Sequence, residues 1–136
     1  MANIHPFLRF NDEKCREAMN LYKECFGGEL DFMTIGSSPM AKEMPDDKQH
    51  LIMHSTLKKG DWTLIGSDMM RDKAVIGDNV GVSAECESEE EIKRVFDKLA
   101  QGGDVFMPLE DAFWGATFGM VTDKYGVEWM LNYQKK

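Results

Sequence analysis

Apolar and polar positions run along this chain in two successive passes that share one order. Residues 4–10, Ile-His-Pro-Phe-Leu-Arg-Phe, read as a strand with Leu8 and Phe10 on one face and His5, Phe7 and Arg9 on the other. Pro6 has no N–H to give a ladder, so it belongs at an edge or at the strand's start. Asn11 or Asp12 is placed to cap a following helix. Ala18, Leu21, Tyr22, Cys25 and Phe26 recur at helical spacing and make one apolar stripe. Gly27-Gly28 stops the helix, because glycine accepts the left-handed conformation at helix ends. Glu29–Ile35 reads as the next strand. Gly36 to Lys48, with Pro39 and Pro45, reads as a loop of the length used for lids and binding loops. His50–Leu57 and Trp62–Ser67 read as strands joined by Lys58-Lys59-Gly60-Asp61, a hairpin signal.

After a polar connector the order repeats. Val80–Cys86 reads as a strand, and Ser88 with Glu91 forms a capping box. Ile92, Val95, Phe96, Leu99 and Ala100 make a second helical stripe, stopped by Gly102-Gly103. Asp104–Leu109 reads as a strand, and Trp114–Thr122 with Val127–Tyr133 as a hairpin across Asp123-Lys124-Tyr125-Gly126. Each residue of the first stripe lies 74 before its counterpart in the second, and the glycine pairs lie 75 apart. The chain is therefore expected to hold a first strand-helix-three-strand module over 1–68, a connector over 69–78 and a second module over 79–136. A lone module of roughly 60 residues is marginal by itself, so two modules bury what one cannot.

Composition narrows the function. The 136 residues carry 16 basic and 24 acidic side chains, a net charge of −8. Nucleic-acid binding needs a basic face that displaces counterions from phosphates, and an anionic membrane surface needs the same, so neither partner is expected. No apolar run is long enough to span a bilayer. The first residues show no basic segment followed by an apolar one, so a cytoplasmic location is expected. Three cysteines, Cys15, Cys25 and Cys86, fit a reducing compartment. Cys15 and Cys25 sit ten residues apart on one helix, about 15 Å of rise, too far for a disulfide.

Several words along the chain are more specific than its periodicity. They are Pro6-Phe7-Leu8-Arg9-Phe10-Asn11, Tyr22-Lys23-Glu24-Cys25-Phe26-Gly27-Gly28-Glu29, Met53-His54-Ser55-Thr56-Leu57 and Ser67-Asp68 in the first half. Trp114-Gly115-Ala116-Thr117-Phe118-Gly119 and Asp123-Lys124-Tyr125-Gly126-Val127-Glu128-Trp129 follow in the second. In this order the chain resembles the vicinal oxygen chelate superfamily of glyoxalase I, bleomycin-resistance proteins and extradiol dioxygenases, and within it the PhnB-like branch. The resemblance implies an α+β, glyoxalase-like fold: two βαβββ modules whose curled mixed sheets surround a shared cavity. It also implies a homodimer, often with elements exchanged between chains. Some sequences of this kind are labelled ubiquinone methyltransferases. The glycine pairs here close helices, whereas a nucleotide-binding glycine loop opens one.

Metal-dependent members hold a divalent ion with four His, Glu or Gln ligands, on the first and last strand of each half. The matching positions here are His5, then Leu64 or Ile65 depending on register, then one of Asn79, Val80 and Gly81, and finally Met130. Only His5 is a good ligand, so no metal and no other cofactor is expected. A noncanonical divalent site would have to combine His5 with His50 or His54, which share a face if their strand is regular.

The remaining chemistry is that of a binding cavity lined by His5, Phe7, Arg9, His54, Trp114, Phe118 and Met130. His5 is a candidate acid or base near neutral pH, and Arg9 can hold a carboxylate or phosphonate by two hydrogen bonds. Trp114 and Phe118, four apart on a strand, face one side as an aromatic wall around Ala116. Trp62 and Trp129 are expected to pack at comparable places in the final strands of the two halves. Glu89-Glu90-Glu91 suits a helix's first turn. No nucleophile motif appears. The reading is a small-molecule-binding protein. The alternatives are a lyase, isomerase or dioxygenase-type enzyme of the same superfamily, or a structural or regulatory dimer whose pocket is plugged by side chains such as Phe7 and Met130.

Overall fold

Helix α1 (Cys15–Phe26) forms where the first stripe lies, and it buries Cys15, Ala18, Met19, Tyr22 and Cys25. Helix α2 (Glu89–Ala100) does the same with Ile92, Val95, Phe96 and Leu99. The strands are β1 (Phe7–Arg9), β2 (Glu29–Thr34), β3 (Ile52–Lys59), β4 (Trp62–Ser67), β5 (Val82–Glu85), β6 (Asp104–Asp111), β7 (Ala116–Thr122) and β8 (Glu128–Gln134). This computed structural model describes residues 2–68 and 73–135, so residues 69–72 of the expected connector lie outside the described part. The chain divides into two compact units, Met1–Val75 and Ile76–Lys136.

Each unit is a four-stranded mixed sheet with one helix on one face. The orders are β1-β4-β3-β2 and β5-β8-β7-β6, so the second unit repeats the first strand for strand. In each, the first strand runs parallel to the last, and the other pairs are antiparallel. The fold is α+β, as the duplicated pattern predicts.

The two glycines of each pair have different tasks. Gly27 and Gly102 take φ of +76° and +73°, the left-handed value that ends a helix. Their followers lie against strand backbone. A Cβ on Gly28 would sit 2.6 Å from the Lys58 carbonyl oxygen, and one on Gly103 only 2.2 Å from that of Thr122.

Several expected boundaries move. The strand expected over 4–10 pairs only over Phe7–Arg9, with the Pro6 carbonyl accepting from the Ile65 N–H just outside it. Neither Asn11 nor Asp12 caps α1. Asp12 and Glu13 both take positive φ, which no helical turn tolerates, and Asn11 instead ties its amide to the Ala74 backbone through two hydrogen bonds. The helix starts at Cys15, whose N–H donates to the Asp68 carboxylate at 3.0 Å. Three short 3-10 helices occupy Ile35–Ser37, Pro39–Glu43 and Asp46–Lys48, where the sequence suggests an irregular loop.

The strand expected at His50 begins at Ile52 and runs to Lys59, which leaves a turn of only Gly60-Asp61. Ser88 accepts from the Glu91 N–H as expected, but the Glu91 carboxylate reaches the N–H of Glu87 rather than that of Ser88. Trp62 and Trp129 are not comparable. Trp62 opens β4 beside the turn, 40% exposed and edge-on to Phe26, whereas Trp129 is the second residue of β8 and buried.

Candidate functional site

Register fixes which side chains face away from each helix. In the first unit, Gly66 lies under α1, since a Cβ there would meet Met19 and Phe10. Gly66 pairs with Leu8 and Ser55, and Leu64 with Leu57, so these residues share the helix side. Phe7, Arg9, Ile65, Thr56, His54 and Met33 therefore lie on the opposite side. This settles the open register choice: Ile65 faces away from the helix, and Leu64 packs beneath it. Phe7 and Arg9 sit on the face predicted for them, with the guanidinium carbon 5.5 Å from the phenyl centroid. Among the described residues of its own unit, Arg9 forms no ion pair with a carboxylate.

His54 joins this face in register with Met33. His50 does not join it, because it lies in the turn before β3 and pairs with Glu13. His5 precedes β1 and is exposed.

In the second unit the helix side is marked by Gly119, where a Cβ would meet Phe96 and Leu109. Gly119 pairs with Leu131, so Met130, Asn132, Phe118, Met120, Ser83 and Glu85 take the other side. Met120 and Met130 are direct cross-strand partners. Trp114 is not a strand residue, since β7 starts only at Ala116. It sits in the connection after β6, yet its ring meets Phe118 edge-to-face at 5.4 Å.

The Trp114 connection is tied down on several sides. The indole N–H donates to the Asn132 side-chain oxygen at 3.3 Å, and the Asn132 amide donates to the Glu85 carboxylate at 3.0 Å. Gln134 donates to the carbonyls of Trp114 and Gly115. The Lys135 ammonium lies 2.6 Å from Asp111 and holds that carboxyl below its ordinary range, while Asp111 in turn raises the lysine.

Glu85, Asn132 and Phe113 were not among the residues singled out from sequence. The Ser83/Glu85 alternation is readable there. The pairing of Glu85 with Asn132, 47 residues on, is not.

The ladders also test the four-ligand metal centre. Phe7 opposite Ile65 corresponds to Ser83 opposite Met130, which makes Gly81 the counterpart of His5. The set is then His5, Ile65, Gly81 and Met130, and one imidazole with an aliphatic chain, a glycine and a thioether does not fit a hard divalent ion. Among the described residues, no three His, Cys, Asp or Glu side chains gather into a metal-holding group.

The chain matches the family described as 3-demethylubiquinone-9 3-methyltransferase over residues 2–132. It belongs to that family, the PhnB-like branch of the vicinal oxygen chelate superfamily. It is 31% identical to Protein YjdN of Escherichia coli K12, over 98% of this chain and 96% of that one. Protein PA1353 from Pseudomonas aeruginosa superposes with a TM-score of 0.87 at 38% identity, covering both chains fully. The putative 3-demethylubiquinone-9 3-methyltransferase, PhnB protein, of Bacillus cereus gives 0.74 at 32% identity, over 97% of this chain and 99% of that one. Solved proteins of the glyoxalase/bleomycin resistance/dioxygenase class share the fold at 11% and 15% identity. Among the described residues, no helix is long and apolar enough to cross a membrane.

Proposed function

We propose that this PhnB-like protein binds a small, partly apolar molecule on the sheet faces turned away from its helices, without the four-ligand metal centre of its metal-dependent relatives. The observation that carries the reading is the content of those faces. The four ligand positions hold one imidazole, while the neighbouring positions hold aromatic, thioether and polar groups: Phe7, Arg9, His54, Trp114, Phe118 and Met130. His5 and Arg9 are the polar contacts of the first unit in this reading. The resemblance to the branch implies a homodimer, and three free cysteines fit a reducing compartment such as the cytoplasm.

The family's description names a methyltransferase. Binding is preferred because Gly27 and Gly102 end helices at positive φ, and no glycine-rich loop opens one among the described residues.

The test joins ligand screening to metal retention. The protein is screened by thermal shift against small acids, amines and aromatic compounds, and then dialysed after loading with zinc, nickel or manganese. The reading expects a stabilising compound and no retained metal. Stoichiometric metal that is lost in His5→Ala overturns it.

A further inference from the structure

We propose that the second unit carries a recognition site for an organic cation, an amine or quaternary ammonium on a small apolar body, built from Trp114, Phe118, Asn132 and Glu85. The proposal rests on the binding reading above and adds the charge of the ligand.

Three aromatic rings gather at the connection after β6. Phe113 meets Trp114 edge-to-face at 5.0 Å, and Trp114 meets Phe118 at 5.4 Å. Phe113 is 98% exposed and Trp114 46%, so the unit presents aromatic surface outward from itself. Aromatic faces carry negative electrostatic potential and attract cations.

Asn132 links these rings to a charge. Its orientation is unambiguous, because an indole N–H only donates and a carboxylate only accepts. The side-chain oxygen must face Trp114 and the nitrogen Glu85. Glu85 is thereby held beside the indole by a neutral partner, and among the described residues of its unit no basic side chain pairs with it.

The surroundings share that sign. Residues 76–136 contain twelve acidic and six basic side chains, and so carry −6 of the chain's −8. The positions on this face of β5, β7 and β8, including Ser83, Glu85, Phe118, Met120, Met130 and Asn132, hold no basic residue. Met120 and Met130 offer a soft surface for the apolar body. The matching rung of the first unit has Arg9 opposite Ser67 where this one has Glu85 opposite Asn132, so the two repeats have diverged to opposite charge.

The full-length protein is titrated calorimetrically with benzyltrimethylammonium, benzyl alcohol and phenylacetate. The ammonium is expected to bind at least tenfold tighter than the other two, and more weakly as sodium chloride is raised. Glu85→Gln, which keeps the shape and the Asn132 contact, and Trp114→Ala each weaken it fivefold or more. Phe106→Ala, on the exposed part of β6, leaves it unchanged. Circular dichroism confirms that each variant is folded.

Preference for phenylacetate, or a Glu85→Gln protein that binds the ammonium as well as before, overturns the cation site while leaving small-molecule binding intact. Failure of all three probes also overturns the site, and together with an empty thermal-shift screen it removes the binding reading too. Burial of Trp114 against a second copy is a further overturning outcome, seen as a fluorescence shift on dilution.

Discussion

The carboxylate of Asp68 accepts the backbone N–H of Cys15 across 53 residues of chain, and its other oxygen accepts the N–H of Ile52. One side chain thus closes the N-terminal end of α1 and the start of β3 together. A helix leaves its first N–H groups without internal partners, and α1 has no side-chain cap from its own flanking residue. Asp68→Ala is expected to cost about 2–4 kcal/mol, the loss of a cap plus an orphaned strand donor. Asp68→Asn, with one accepting oxygen, falls between. Urea unfolding measures both, and a loss below about 0.5 kcal/mol for the alanine variant contradicts the role.

The second unit uses Asp123 in its own way. This buried carboxylate accepts from the N–H groups of Tyr125 and Val127 and from the Trp129 indole at 3.0 Å. It therefore shapes the final turn and positions the largest buried side chain. Asp123→Ala leaves three donors without that acceptor and is expected to cost about 3–5 kcal/mol. Trp129→Phe, which removes only the N–H and some volume, is expected to cost less. Equal losses in denaturant unfolding would show that indole packing dominates over the hydrogen bonds.

The second glycine of each pair predicts a repeated defect. A Cβ on Gly103 would overlap the Thr122 carbonyl, and one on Gly28 the Lys58 carbonyl, both backbone atoms that cannot turn aside. Gly28→Ala and Gly103→Ala are each expected to cost about 2–4 kcal/mol, well above the few tenths typical of an unconstrained surface site. Gly60→Ala, in open space at φ +56°, carries backbone strain alone and serves as the milder comparison. Melting temperatures that rank all three alike would remove the close-approach argument.

These features show where sequence reasoning reaches and where it stops. The two stripes, the two stops and the hairpins were legible because each is a local pattern with a fixed period. The repeated strand order followed from them. What stayed hidden depends on residues far apart in the chain. Asp68 caps a helix that starts 53 positions earlier, so nothing beside Cys15 announces it. Asn11 looks like a cap, but Ala74 takes its side chain. Of the candidate site residues, Phe7, Arg9 and His54 share a face, as do Phe118 and Met130. Trp114 reaches Phe118 from a loop rather than from the strand that its spacing suggested. Glu85 and Asn132 escaped because neither stands in a ligand position of the family.

Cys15 predicts a pH dependence. Burial pushes its thiol from 9.0 up to about 12, with the Ser55 hydroxyl opposing and the Asp68 charge adding. Folding therefore favours the neutral thiol. Its contribution to stability is complete below pH 9 and is lost as pH rises from about 9 toward about 12. Melting temperature is expected to fall more steeply for the native protein than for Cys15→Ser between those limits. The thiol should also resist alkylation until the protein unfolds. Parallel curves for the two proteins would show that Cys15 does not govern the alkaline limb.

Arg9 separates structural from functional use of a charged residue. A structural arginine at a strand end is expected to grip a carboxylate, and removing it leaves that partner unsatisfied. Here the guanidinium lies over the Phe7 ring and, among the described residues of its unit, pairs with no carboxylate. Phe7 is 49% exposed, so this contact is a solvated one and is worth only about 0.5–1 kcal/mol. Arg9→Met, which keeps much of the chain's length, is therefore expected to shift unfolding by no more than about 1 kcal/mol. If Arg9 contacts an anionic portion of the ligand, the same variant weakens a stabilising acid from the thermal-shift screen tenfold or more. A large stability loss with unchanged ligand affinity would assign Arg9 to the scaffold instead.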